Sequence, residues 1–232
     1  MAAPASTSIA TSLAAFADPP VRLVDGPAVD YFFIELVNTL RASSAVAVAR
    51  TRKVEQEMIE AGLLSPPPQA PPAVPSKRDS IASTSSKTAD SQTVTDEEEE
   101  ALRLRLESIG MHVGTNVAER LCHERGLFAD TLDAIKFICK ELWVACWDKQ
   151  VDNLRTNHRG VYVLQDNAFK PIQRISSWQG RADALRRAKL YAAMPAGMIK
   201  GALSRLGFQA VVVPEITVLP QCTFQVKLPR GS

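Results

Sequence analysis

The first regular pattern of apolar positions predicts one long helix, or two in series, from Val29 to Leu63. The larger apolar side chains on one face lie three and four residues apart, at Phe33, Leu36, Val37 and Leu40. An alanine-rich stretch over residues 42–49 suits the helix interior. Gly62 and the following Pro66 mark its end, because glycine commonly follows a helix and proline cannot continue one.

A second helical stripe runs from Leu102 to Leu121. Thr95 followed by Glu98 forms a capping-box pattern, which predicts that this helix begins near Thr95. Gly110 and Gly114 interrupt the stripe four residues apart. Their missing side chains predict either the close approach of another backbone or a bend between two helices.

A third helix is predicted over Asp130–Gln150, with a wide apolar face. A neighbouring stripe changes from charged to aromatic along its length, through Lys136, Lys140, Trp143 and Trp147. The favoured interpretation is that the tryptophans widen the core where the helix meets a sheet. The alternative is a strip that binds a partner, since aromatic residues are enriched at interface centres.

Four strand candidates follow, near residues 151–156, 161–165, 210–213 and 223–228. Turn-forming residues at 157–160 join the first two strands. A helix over Arg181–Leu206 separates the pairs, with Gly207 at its end and with Pro195 and Gly197 predicting a kink or break. Strands grouped after helices indicate an α+β fold with a small antiparallel sheet.

Composition sets the domain organisation. The chain has 232 residues, 46% of them hydrophobic, which is enough for one globular domain with tails. Residues 65–95 contain six prolines and eleven Ser or Thr residues, and predict a flexible insert within a domain at 28–229. Residues 1–27 are predicted to be a disordered tail. Ser80 follows Lys77 and Arg78 in the insert and is a candidate phosphorylation site.

Charge and cysteine content narrow the function classes. A net charge of +2 argues against a protein that binds nucleic acid through charge. The four cysteines form no C-x-x-C pair and are interpreted as buried free thiols in a cytosolic protein. No apolar run is long enough to suggest a membrane span. The three histidines lack metal-ligand spacing and no catalytic motif is recognisable, so we expect no enzyme, cofactor or metal site.

Two polar groups have alternative interpretations. A group of basic residues opens the last helix, at Arg181, Arg186, Arg187 and Lys189. A solvated helix face is favoured there, with contact to anionic lipid headgroups as the alternative. The hairpin group at Arg155, Asn157, His158 and Arg159 is interpreted as a solvated turn, with a phosphate or an acidic partner as the alternative.

Several long segments, in order, resemble the subunit-six branch of the small subunits of the transport protein particle (TRAPP). The resemblance covers nearly the whole chain outside the tail and the insert. It rests on Asp30–Phe33, Gly110–Gly114, Ala118–Leu121, Leu132–Trp143, Leu154–Phe169, Gly201–Leu203, Leu206–Gly207 and Leu219–Val226.

The resemblance implies helices packed on a four-stranded antiparallel sheet, and a scaffold in a complex that tethers vesicles. Members pair with paralogous small subunits through their early helices and join larger subunits. The complex promotes nucleotide exchange on Rab-type GTPases in traffic between endoplasmic reticulum and Golgi, at the cytoplasmic face of those membranes. The residues expected at the partner interface are Phe33, Leu36, Val37, Leu40, Met111, Val117 and Leu121.

The amphipathic pattern by itself also allows these residues to pack only inside the monomer. None of the four cysteines matches the acylated cysteine that some small subunits carry, so acylation is not predicted. The alternative function is a sensor for a small hydrophobic ligand, in which the tryptophan-rich helix would form the wall of a pocket. A hydrolase or transferase with an unrecognised site is less favoured, because His and carboxylate residues do not cluster.

Overall fold

The computed structural model describes residues 24–65, 86–123, 125–126, 128, 130–157 and 160–229, with side chains in the second range from residue 98 onward. Residues 1–23 and 66–85 lie outside this description, and so do Ser80, His158 and Arg159. The tail over residues 1–23, most of the expected insert and the candidate phosphorylation site therefore stay predictions. Gly26 and Pro27, the last two residues assigned to the tail, are helical.

Helix α1 spans Gly26–Glu60 without a break, close to the range expected for the first helix. It begins three residues early because Pro27 occupies its first turn, where a missing N–H costs nothing. Gly62, with φ +72°, ends it in the left-handed conformation. The Leu63 N–H then donates to the Met58 carbonyl at 2.9 Å, as in a Schellman turn.

Helix α2 spans Ser86–Leu121, so the predicted start at Thr95 is wrong. The helix continues upstream of the capping-box residues because no proline or glycine occurs between Ser76 and Ile109. Residues 86–95, assigned to the insert from the sequence, are therefore helical. The bend predicted at Gly110 and Gly114 is also wrong, because α2 is continuous through both glycines.

The third predicted helix consists of three consecutive parts: α3 (Thr131–Phe137), a π-helical segment (Ile138–Leu142) and α4 (Trp143–Trp147). Asp130 caps its start by accepting a hydrogen bond from the Asp133 N–H at 2.7 Å. The Cys139 carbonyl in the π-helical segment accepts from the Val151 N–H at 3.0 Å. This bond ties the helix to the chain that enters the sheet.

The four predicted strands are present: β1 (Asn153–Thr156), β2 (Val161–Asp166), β3 (Val211–Glu215) and β4 (Cys222–Lys227). They form one antiparallel sheet in the order β1-β2-β4-β3. Pro214 lies in β3, which is an edge strand, where a missing N–H is tolerated. The α+β class and the four-stranded antiparallel sheet are thus confirmed.

Two helices lie between β2 and β3: α5 (Lys170–Gln173) and α6 (Arg181–Arg205). Helix α6 matches the predicted range, and Gly207 follows it with φ +90°. The helix continues through Pro195 and Gly197, so the predicted break does not occur. Its second half is buried, and this packing outweighs the hydrogen bond that proline removes.

Helices α2 and α6 cross in backbone contact at four glycines. A Cβ atom built on Gly110, Gly114, Gly197 or Gly201 would lie 2.0–2.1 Å from a carbonyl oxygen of the opposite helix. Thr115 Oγ1 also donates to the Gly201 carbonyl at 3.2 Å. The predicted close approach at Gly110 and Gly114 is therefore confirmed, and α6 supplies the second pair of glycines.

One hydrophobic core joins the helices to one face of the sheet. Alternate residues of β2 and β4 point into it, including Leu164, Phe224 and Val226, all of which are fully buried. On the helical side the core includes Ile135, Trp143 and Ile199. Helix α1 contributes only Val37 and Ser44 as fully buried residues.

Replacing Gly114 or Gly201 with alanine is expected to destabilise the fold by about 1–3 kcal/mol or more, because the added methyl group would meet rigid backbone. Gly26→Ala is the matched control, since nothing lies within 4 Å of a Cβ at that position. Urea unfolding followed by circular dichroism gives the free energies of unfolding. Equal values for all three variants would contradict the role of the glycine contact.

Candidate functional site

The candidate site is an apolar surface on the outer side of α1. At 100° per residue, Val29, Phe32, Leu36, Val54 and Met58 fall within one 80° sector of the helix. Four of them are exposed, by 47%, 66%, 46% and 36% at Val29, Phe32, Val54 and Met58, and Leu36 is half-buried. We call these five residues the α1 stripe. Large apolar side chains aligned on one uncovered helix face are a common mark of a binding surface.

Three contacts hold the inner side of α1 on the rest of the molecule. Asp30 pairs with Arg174 at 2.9 Å, and the Phe33 ring packs edge-on against Tyr191 with centroids 5.6 Å apart. Farther along, Arg105 donates to the Ser44 hydroxyl at 3.2 Å. Because the inner side is fixed in this way, the stripe has a defined orientation.

The residues expected at the partner interface occupy different positions. Val37 is fully buried in the chain's own core and offers no surface in this structure. Phe33, Leu40, Val117 and Leu121 are partly buried and pack against that core. Leu36 and Met111 are also partly buried, and the Met111 carbonyl lies against Gly201. The structure brings Phe33, Leu36, Val37 and Leu40 together on α1, while the other three lie on α2. Their role at an interface stays a prediction.

Sequence reasoning missed the second half of the stripe. Val54 and Met58 continue the three-and-four spacing of Leu36 and Leu40 along the same side of the helix. This spacing could have indicated an apolar face, but the charged residues between Val54 and Met58 are typical of a solvated helix. Phe32 was missed because it lies beside the face that carries Phe33 and Val37.

No membrane span was expected from the apolar runs of the sequence. By length and composition alone, however, α1 could cross a membrane. Its most apolar 18-residue window has a mean hydropathy of 1.3, and 11% of that window is buried. No other helix in the described ranges meets the same criteria. This is weak evidence for a span, because core helices and signal sequences have the same properties.

The tryptophans of α4 belong to the core, which confirms the favoured interpretation. Trp143 is fully buried among aromatic rings, with the Phe169 centroid at 5.8 Å and the Phe224 centroid at 5.5 Å. Its Nε1–H donates to Asp166 Oδ2 at 2.8 Å. A partner-binding strip through Trp143 is therefore wrong, because the indole is enclosed by the chain's own sheet.

The buried carboxylate of Asp166 organises the polar groups beside Trp143. It pairs with the Lys149 ammonium group at 2.5 Å, and it accepts from the Ala168 N–H at 3.0 Å. Burial lowers the pKa of Lys149, but hydrogen bonds to Asp166 and Asp152 outweigh that effect and raise the pKa above its usual value. Lys149 therefore stays charged and neutralises Asp166, which is a structural role.

The basic group at the start of α6 is built around another carboxylate. Asp183 pairs with Arg186 at 2.5 Å and with Arg187 at 2.7 Å, and it accepts from the Ser177 hydroxyl at 2.5 Å. The hydrogen bond from Ser177 is the largest of several effects that hold the pKa of Asp183 below its usual value. Arg186 and Arg187 are thus positioned by ion pairs on a helix face that stays exposed, which agrees with the favoured interpretation of a solvated face.

All four thiols are free, as expected. Cys139 and Cys222 are buried, and Cys122 and Cys146 are partly buried. Burial raises the pKa of Cys139 and of Cys146 to about 12, and it raises the pKa of Cys122 and Cys222 as well. Thiols with raised pKa values are poor nucleophiles near neutral pH, because the thiolate is the reactive form.

A cavity of about 240 Å³ lies between α2, α6 and β3. Its lining combines alanines of α6 and residues of β3 with three charged side chains, Arg103, Glu107 and Lys189. Ligand pockets usually enclose roughly 300–1,000 Å³. The cavity is smaller than that range and is not lined by Trp143 or Trp147, so it gives no support to the ligand sensor.

In the described ranges, no three His, Cys, Asp or Glu side chains are placed to hold a metal ion. His112 is exposed and lies 3.3 Å from the Asn116 amide, one turn along α2. His123 is exposed just past the end of that helix.

Comparison with known proteins identifies what the chain resembles. The family model described as "Transport protein particle (TRAPP) component" matches residues 29–229. Human trafficking protein particle complex subunit 6B is 42% identical over 126 residues, which is 54% of this chain and 78% of that protein. Human subunit 6A is 44% identical over 126 residues, covering 54% and 77%. The zebrafish (Danio rerio) subunit 6b is 41% identical over the same length.

One solved structure is similar to part of this chain. It is the crystal structure of a trafficking protein particle complex subunit 3 from Naegleria fowleri, covalently bound to palmitic acid. The TM-score is 0.49 at 16% sequence identity, covering 62% of this chain and 90% of the other.

The raised thiol pKa values predict slow labelling of the native protein. With a thiol-reactive dye at pH 8, Cys139, Cys146 and Cys222 are expected to react only after denaturant is added, and Cys122 to react before them. Raising the pH toward 12 should speed labelling of Cys139 and Cys146, as their thiolates form. Mass spectrometry of peptides assigns each label. Fast labelling of Cys139 at pH 8 would show that its burial is wrong.

Proposed function

The chain belongs to the TRAPP component family, in its subunit-six branch, and we propose that it is a non-catalytic scaffold that pairs with a paralogous small subunit. As a TRAPP component it takes part in vesicle transport. The finer role proposed here is support of nucleotide exchange on a Rab-type GTPase, between endoplasmic reticulum and Golgi. In that role, the exchange surface itself would be formed by other subunits.

The observation that carries the proposal is the α1 stripe. A 35-residue helix with only two fully buried residues is poorly covered by the described part of its own chain. The stripe's members form two groups on the same side of the helix, one from Val29 to Leu36 near the start and one at Val54 and Met58 near the end. Burying a Val, Leu or Phe side chain contributes roughly 1.5–3 kcal/mol. Five such residues can support a stable dimer after the entropy of association is subtracted.

The position of the stripe also suggests how a partner would bind. Leu36 and Leu40 lie at the border between the exposed side of α1 and the side that packs on the core. A helix of a paralogous subunit laid along this border would cover the exposed residues and complete the burial of Leu36. We therefore keep Phe33, Leu36 and Leu40 in the proposed interface, with Val37 as packing support beneath it.

The proposed interface also includes the three residues expected on α2, at its edge. Met111, Val117 and Leu121 are partly exposed on α2, and Arg105 of the same helix donates hydrogen bonds to Ser43 and Ser44 of α1. They would be reached by a partner that packs on both helices. Larger TRAPP subunits would then bind elsewhere on the pair.

Two observations support a scaffold rather than an enzyme. The thiol pKa values are raised, and Asp166, a buried carboxylate, has a structural role. Asp166 pairs with Lys149 and accepts hydrogen bonds from Trp143 and Ala168, so its oxygens are occupied by contacts that hold the fold. We propose a cytoplasmic location at Golgi and endoplasmic reticulum membranes, reached as part of the complex.

The proposal predicts a different response to aspartate at two valines of α1. Val54→Asp places a charge inside the stripe and should weaken pairing at least about tenfold, because a buried valine is lost and an unpaired charge is buried. Val46→Asp is the matched control, since Val46 is 62% exposed and lies 80° around the helix from Val54. Each variant is co-expressed with the paralogous small subunits, and the mass is measured during size-exclusion chromatography.

Thermal unfolding of both variants alone checks that the fold is intact, as expected for exposed positions. The proposed interface is refuted if Val54→Asp pairs as tightly as Val46→Asp does. Leu40 is a poorer site for this test, because it packs on the chain's own core and a charge there would also disturb folding.

A further inference from the structure

Trp178 is the most exposed large apolar side chain in the described ranges, at 89%. It lies in the turn between α5 and α6, away from the α1 stripe in sequence. Its neighbours Ser176, Gln179, Gly180 and Arg181 are also exposed. The indole is thus presented to solvent without an apolar surround.

The turn that carries Trp178 is held by four hydrogen bonds. The Ser177 hydroxyl accepts from the Gln179 N–H at 3.2 Å and donates to Asp183 at 2.5 Å. The Gly180 N–H donates to the Ser177 carbonyl at 3.2 Å, and the Gly180 carbonyl accepts from Ala184 at 3.2 Å. Gly180 has φ +102°, a conformation that glycine adopts without strain. Because the backbone is fixed, little entropy would be lost when the indole is bound.

Basic groups surround this turn. Arg186 and Arg187 pair with the same Asp183 carboxylate that binds Ser177, so both guanidinium groups lie next to the turn. Their side chains are still 67% and 43% exposed. Arg181 follows the turn and is exposed.

Arg174 adds a further basic residue before the turn in sequence. It lies four residues before Trp178, pairs with Asp30, and is placed 5.9 Å from the centre of the exposed Tyr31 ring. Together, the four arginines and the two aspartates, Asp30 and Asp183, carry a net charge of +2.

We propose that Trp178 and the surrounding arginines form a docking surface for a bilayer that contains anionic phospholipids. Tryptophan and tyrosine favour the depth of the lipid headgroups, and arginine binds phosphate. Juxtaposed basic residues are attracted to the negative surface of a cytoplasmic leaflet. The indole would enter the headgroup layer while the arginines contact phosphates beside it.

The surroundings of Trp178 favour a lipid surface over a protein partner. A tryptophan that anchors a protein interface is usually ringed by other side chains that exclude water. The residues next to Trp178 in the turn are instead small, polar or charged, and such residues suit contact with lipid headgroups. This goes beyond the proposed scaffold role, because it gives the chain a membrane contact of its own rather than one supplied only by the complex.

Intrinsic fluorescence of the full chain tests the proposal. Trp143 is fully buried and Trp147 is partly buried, so Trp178 is the tryptophan whose surroundings should change on vesicle binding. Vesicles of phosphatidylcholine mixed with phosphatidylserine are expected to shift the emission to the blue and to reduce quenching by acrylamide. Vesicles of phosphatidylcholine alone should do so much less, and added salt should weaken binding to the anionic vesicles.

Two variants and a matched control separate the indole from the charge. Trp178→Ala should abolish the blue shift and reduce co-sedimentation with anionic vesicles. Arg181→Gln should weaken co-sedimentation about fivefold, the effect of one basic residue near an anionic surface. Lys140→Gln is the control, because it removes an exposed cation from the π-helical segment and should change neither readout.

The lipid surface is ruled out if anionic vesicles cause no blue shift, or if Trp178→Ala binds them as well as the native chain does. It is also ruled out if Trp178→Ala keeps vesicle binding but no longer enters the assembled complex, since the turn would then contact a protein. Val54→Asp should bind vesicles normally, so failure of this proposal and failure of the proposed pairing can be told apart.

Discussion

The contact between the backbones of α2 and α6 is the constraint on which the rest of the fold depends. Any side chain larger than hydrogen at Gly110, Gly114, Gly197 or Gly201 would meet a carbonyl oxygen of the other helix. The contacts advance in the same direction along both helices, so the two run parallel where they cross. Ion pairs from Lys200 to Glu107 and from Arg205 to Glu119 lie along the same crossing.

This helix pair forms the platform on which the other elements are placed. Helix α6 leads directly into the sheet through Gly207, and its buried face forms part of the core with Phe224 and Val226. In the same core, Asp166 ties Trp143 and Lys149 to the end of β2. The aromatic residues that looked available for a partner are used here to join helix and sheet.

What remains uncovered is therefore informative about function. Helix α1 is held at Asp30, Phe33 and Ser44, and its outer side keeps an apolar stripe. The turn at Trp178 has the opposite chemistry, with one aromatic ring among arginines. A long apolar face suits another protein, while a single indole with basic neighbours suits a charged lipid surface. A component of a vesicle-transport complex has use for both kinds of contact.

The sequence by itself determined the fold class, the family and most of the secondary structure. Periodicity located α1, α6 and the four strands, because apolar spacing and turn residues act locally. It also indicated that Gly110 and Gly114 would meet another backbone. The extra helical turns of α2 before Thr95 were missed, because a capping-box pattern does not prevent a helix from starting earlier.

Only the tertiary structure decided which apolar residues are used internally. An amphipathic pattern shows that a side chain will be covered, but not whether its own chain or a second molecule covers it. Val37 and Trp143 proved to be buried in the core, while Phe32, Val54 and Trp178 are left exposed. That choice depends on contacts between residues far apart in sequence, such as Phe33 with Tyr191 and Trp143 with Asp166, which local spacing does not encode.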